Sequence, residues 1–305
     1  MSINITIENK GLFRKKLSYS KLQTLLNKEY NFGIMNSAYV NDGYNREENI
    51  ENKSFIVYRN KGKIGRGFWF SIPLGQKEFY LTLNVPSTTK DIMDMYDFIG
   101  KIADYLGTKF IIQDSQNVKF EEINENFRKK MISDNYSELQ RVFEVYDFTL
   151  FGAKNPIWFP KEMEEKCKTL SGEKLENYVS DYVNSKQLHD YYYMKPSFFN
   201  PPKDSNKIIG VYALTKGVDS IIPKEPYVSY NCGLAIDTSI DSWLINVVFL
   251  KVDEKGKVID SSVSDPIFYE DFMRKIDKNK LEIYDRNHYI LKGLSEEELK
   301  EILNG

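Results

Sequence analysis

Ile3, Ile5 and Ile7 alternate with polar residues, a pattern that predicts a half-buried strand at the start of the chain. Leu22, Leu25 and Leu26 then predict a helix over about 20–28. The polar stretch 36–53, with Asp42-Gly43, reads as a loop. Three strands follow at 55–59, 67–72 and 78–84. Short glycine-containing turns join them, so an antiparallel meander is expected.

The clearest helical pattern spans 88–106. Ile92, Met95, Tyr96, Ile99, Ile102, Ala103 and Leu106 fall on one face of a 3.6-residue repeat. Ser87 or Thr88 is placed to cap its start and Gly107 to end it. A strand at 109–113 comes next, then a charged helical stretch over 120–146. The later pattern predicts a strand at 147–152, helices near 161–170 and 173–190, and a proline-bearing loop at 195–207. Strands are expected at 208–214, 227–230, 234–237, 242–252 and 258–262, with Asp253 to Gly256 as a hairpin turn. A helix near 269–276, strands within 281–291 and a last helix opening on a Ser295/Glu298 capping box complete the chain.

The expected class is α+β: antiparallel β-meanders covered by helices. The expected division is an N-terminal half (1–120), a bridging helix region (121–146) and a C-terminal half (147–305). Asp97-Phe-Ile-Gly-Lys-Ile102 followed by a strand resembles Asp271-Phe-Met-Arg-Lys-Ile276 followed by a strand. This suggests that the halves share a meander–helix–strand unit, and strand order tests the idea.

Composition narrows the classes. With 305 residues, 41% hydrophobic and 28% charged, the chain is globular and large enough for a substantial core. The net charge of −2 is spread evenly, so no nucleic-acid partner is expected. The longest apolar run, Trp243–Leu250, is strand-sized and interrupted by Asn246, so no membrane partner is expected either. Two cysteines and no basic-then-apolar leader point to a cytoplasmic protein. Abundant Lys, Asn, Ile and Tyr suggest an AT-rich bacterial genome.

No phosphate-loop, dinucleotide-loop, zinc-protease, Cys-x-x-Cys or nucleophile-elbow motif occurs. With only His189 and His288, no metal or other cofactor is expected. Lys61, Lys63 and Arg66 flank Gly62, Gly65 and Gly67, a basic glycine-rich segment able to hold a phosphate; the plainer reading is a hairpin turn. Cys232 could act as a thiolate if a histidine lay beside it, against the plainer reading of a small buried thiol. His189-Asp190 and Asp285/His288 offer acid–base pairs, but neighbours in sequence seldom aim at one point.

The segments Asn155–Pro160 and Tyr191–Pro202 are aromatic and proline-rich. Trp158, Phe159, Tyr191, Tyr192, Tyr193, Phe198 and Phe199 are therefore the candidate binding residues for a protein partner or small molecule. The plainer reading puts these rings in the core.

Gly65-Arg-Gly-Phe-Trp-Phe-Ser71, Val85-Pro-Ser-Thr-Thr89 and Leu150-Phe-Gly152 together resemble an uncharacterised bacterial family of about 300-residue cytosolic proteins, a domain of unknown function. The resemblance covers the whole chain and implies no catalytic residues. The functional expectation is a non-catalytic binding or interaction protein. The alternatives are an enzyme using carboxylates or Cys232, and a structural subunit of an assembly. The sequence leaves the oligomeric state open.

Overall fold

The computed structural model describes residues 2–10, 14–36, 39–41, 49–59, 62–145, 149–202, 204, 206–229 and 233–304. Asp42-Gly43, Lys61 and Cys232 lie outside the described residues. The chain divides into two compact units, Met1–His189 and Asp190–Gly305.

The first unit carries an eight-stranded antiparallel sheet. Its strands are β1 (Ser2–Glu8), β2 (Tyr30–Asn36), β3 (Tyr39–Asn41), β4 (Lys53–Arg59), β5 (Phe68–Ile72), β6 (Glu78–Asn84), β7 (Phe110–Gln113) and β8 (Gln116–Lys119). Their order is β3-β2-β4-β5-β6-β1-β7-β8, so β1 lies between β6 and β7. The alternation read at 3–7 extends across the sheet: Ile5 faces Leu81, Leu81 faces Phe70 and Phe70 faces Phe55, all buried.

The remaining elements are α1 (Tyr19–Leu25), α2 (Thr89–Leu106), α3 (Glu125–Val145), β9 (Thr149–Phe151), β10 (Pro156–Trp158), α4 (Lys161–Thr169) and α5 (Gly172–Gln187). Helix α2 packs its apolar stripe on this core. The Phe98 ring meets Phe70 and Phe68 edge-on, with centroids 5.0 and 5.2 Å away. Thr88 caps the helix in a box with Asp91, and Gly107 closes it at φ 74°.

The segment expected to bridge two halves is mostly α3. Its Ile132, Tyr136, Leu139 and Phe143 join the same core as β1, β2, β4, β5, β6 and β7, and so do Leu150, Phe159, Met163, Cys167, Val179 and Val183. The boundary between units therefore falls after His189. Charge had suggested a linker, but α3 turns an apolar stripe inward beneath its charged surface.

The second unit holds β11 (Tyr192–Tyr193), β12 (Pro196–Phe199), β13 (Ile209–Thr215), β14 (Ser220–Pro223), β15 (Ser242–Val252), β16 (Val258–Val263), β17 (Ile267–Phe268), α6 (Tyr269–Lys275), β18 (Leu281–Ile283), β19 (His288–Leu291) and α7 (Glu296–Asn304). One sheet runs β12-β13-β15-β16, with β17 also on β15; the other runs β11-β14-β19-β18. Pairs β13/β15 and β11/β14 are parallel. Tyr212, Leu214, Ile245 and Val247 point to a core shared with Tyr269 and Phe272 of α6 and Leu299 and Ile302 of α7. The expected Ser295/Glu298 box forms at the start of α7.

The chain is α+β, but the two units share no repeated motif. In the first, β4, β5, β6 and β7 belong to a single sheet, with α2 between β6 and β7 in the chain. In the second, β16 and β17 both pair with β15, α6 has seven residues, and β18 joins the other sheet. The matching hexapeptides reflect only the similar amphipathic patterns of two helices.

Segments 227–229 and 234–237 form no strand. The Tyr227 N–H donates to the Tyr212 hydroxyl rather than to a ladder, and Ile236 is exposed. Strand β12 lies in the segment expected as a proline-bearing loop, and β14 in a stretch for which no element was expected, because proline and brevity mask their pattern.

Candidate functional site

The glycine-rich segment at 65–67 already holds an anion, and that anion is internal. The Asp91 carboxylate accepts the N–H groups of Arg66 (2.8 Å) and Gly67 (2.9 Å) and the hydroxyls of Ser87 (2.9 Å) and Thr88 (2.8 Å). A side chain at Gly65 would collide with Asp91 Oδ2 and Thr88 Oγ1, and Gly67 has φ 67° against the Val57 carbonyl. Arg66 turns its guanidinium to the carbonyls of Phe151 (2.9 Å) and Pro86 (2.6 Å). Burial pulls its pKa down to about 10 against the opposing effect of Asp91, so it stays charged at neutral pH. The amides that a phosphate would need are spent on tying the meander to the start of α2.

The second constellation is buried in the second unit. The turn between β18 and β19 brings Asp285 Oδ1 within 2.8 Å of His288 Nδ1. His288 Nε2 lies 2.9 Å from the Tyr193 hydroxyl and 3.0 Å from that of Tyr227, and the two hydroxyls are 2.9 Å apart. Sequence reasoning held that residues this close in sequence would diverge, but a tight hairpin turn reverses that. The set has the composition of a proton relay. Asp285 and His288 are each 1% exposed and Tyr193 4%, whereas Tyr227 is half-buried. What the set does is fasten β11, the loop after β14 and the β18–β19 hairpin to one another.

The third feature is a sheet face. Cross-strand partners share a face, so the register defines it. Leu244 stands between Val211 and Phe268, Asn246 beside Ala213, Val248 between Thr215 and Val263, and Leu250 beside Ser261. Ile209 joins Phe199 to Ser242 at one end. The opposite face buries Tyr212, Leu214, Ile245 and Val247 beneath the helices, whereas no residue on this face is buried. Phe199 is 57% exposed, Val263 57% and Phe268 58%. None of these residues is charged. Asn246 Oδ1 is shielded from solvent and lacks a hydrogen-bond partner.

The seven aromatic candidates are divided between the two units and differ in burial. Phe159 is core in the first unit, with its ring against Phe143 and Tyr182, and Trp158 is half-buried in β10. In the second unit Tyr193 belongs to the buried histidine set. Tyr192 is exposed, and Tyr191 lies under the Lys292 ammonium. Phe198 packs on Trp243 on the helix-covered side, while Phe199 is on the open face. Sequence reasoning missed Val211, Leu244, Val248, Val263 and Phe268. The signal was the run Trp243–Leu250, which is apolar at odd and even positions alike, as in a strand buried on both sides.

Among the described residues, no group of three or more His, Cys, Asp or Glu side chains is placed to hold a metal ion. No described helix is long and apolar enough to cross a membrane. These features define a two-unit α+β protein with buried polar clusters and, in its second unit, an apolar sheet face on which none of the described residues is buried. The match to a family model places it further: residues 2–302 fit the domain of unknown function DUF4299, and the chain belongs to that family. No curated protein and no solved structure matches it.

Proposed function

We propose that this is a non-catalytic interaction protein, and that its working surface is the open face of the β12-β13-β15-β16 sheet. One observation carries the reading: β13 and β15 have the sequence of strands buried on both sides, and the helices of their unit cover only one. An apolar sheet face of this extent without a covering layer marks an interaction surface. The proposal keeps Phe199 from the aromatic set and gives the leading role to Leu244, Val248, Leu250, Val263 and Phe268. A bacterial cytosolic setting accords with the AT-rich composition and with the buried free thiol of Cys167.

The test is capture on immobilised full-length protein in an extract of the native cells. Wild type should retain a stoichiometric protein that Leu250→Lys and Phe268→Lys both lose, at unchanged melting temperature. Retention of the same proteins by wild type and both variants would refute the reading.

A further inference from the structure

We propose that the occupant of this face is a second copy of the same chain, packed face to face about a two-fold axis; the inference rests on reading the face as an interaction surface. The absence of charge is the first argument. Two such faces can close on each other without burying an ion, and a self-complementary patch is what a two-fold interface requires. A foreign partner would ordinarily be selected by complementary charge, and here there is none to complement.

The second argument is area. Its strands of 4, 7, 11 and 6 residues, spaced ~4.8 Å apart and rising ~3.3 Å per residue, offer roughly 450 Å² per copy. Two copies bury about 900 Å² before side-chain relief is added, close to the lower bound for a specific interface. That size suits a reversible dimer with a dissociation constant on the order of micromolar.

Sedimentation equilibrium of the full chain from about 1 to 200 µM tests this. The expected result is a concentration-dependent monomer–dimer equilibrium. Val248→Lys places like charges across sheets about 10 Å apart and should weaken association about a hundredfold. Leu250→Lys is a second variant at a more exposed position, in case Val248→Lys unfolds. Ile283→Lys, on the other sheet, should leave the dimer intact. A wild-type monomer throughout the range, or a dimer indifferent to both face variants, overturns the proposal. If the wild type is monomeric and captures a different polypeptide that Leu250→Lys loses, self-association falls while the interaction reading stands. A monomer that captures nothing ends both.

Discussion

His288 Nδ1 lies 2.8 Å from Asp285 Oδ1, and the same oxygen accepts the Asn287 N–H at 2.8 Å. One carboxylate thus shapes the β18–β19 turn and orients the imidazole toward Tyr193 and Tyr227. Asp285→Ala strands a ring nitrogen and a backbone amide in a dry interior, which should cost about 2–4 kcal/mol in urea unfolding. Asp285→Asn keeps an acceptor and should cost less. A loss below about 1 kcal/mol for the alanine variant would mean that the cluster is not the fastening described.

Asp91 and Gly65 make a paired prediction. Gly65→Ala has no room beside the Asp91 carboxylate and should destabilise by roughly 3 kcal/mol. Adding phosphate should leave the melting temperature of the wild type unchanged, because the amides of Arg66 and Gly67 are already occupied. A phosphate-dependent rise lost in an Arg66→Gln variant would restore the anion-site reading.

Phe198 and Phe199 are neighbours on opposite sides of one strand. Phe198→Ala gives up its contact with the Trp243 ring on the covered side and should cost about 1.5–3 kcal/mol. Phe199→Ala, measured in the monomer at low concentration, should stay within about 0.5 kcal/mol. Equal losses would contradict the assignment of faces.

Cys167 supplies a pH dependence. Burial pushes its thiol up to about 11, with nearby Glu164 adding to the rise. The unfolded thiol ionises near ~8.5. The folded state therefore holds its proton where the unfolded state releases it, and stability falls as pH rises from about 8.5 toward 11. Relative to Cys167→Ala, wild type should lose about 1 kcal/mol between pH 7.5 and 9.5 in urea unfolding. In a Cys232→Ser background, Cys167 should also resist a thiol reagent at pH 8 until the protein is unfolded.

The sequence was informative where one periodicity ran unopposed. Helix α2 shows its cap, stripe and terminal glycine, and β1 and β6 show clean alternation, because each packs one side on a single core. It was silent where long-range pairing decides the outcome. Nothing local in Ser220–Pro223 announces a strand wedged between β11 and β19, and nothing local in Tyr227 announces that its backbone is bound to Tyr212. The hexapeptide likeness misled for a complementary reason, since amphipathic helices look alike whatever sheet they cover. At the candidate face, the apolar run of β15 was visible, but register was needed to show which of its residues lack cover.

The place of β1 has a consequence for how the protein is made. It lies between β6 and β7, so the strand that leaves the ribosome first among these three must wait for a partner on each side. Roughly a hundred residues of synthesis separate it from β7, on the order of 5–20 seconds at ordinary elongation rates. Until β6 emerges Ile3, Ile5 and Ile7 have no sheet to enter, and until β7 emerges the other edge of β1 stays unpaired. The first unit is therefore completed only by an early segment returning to the middle of a sheet built after it, and the local β4-β5-β6 meander is the scaffold to which it returns.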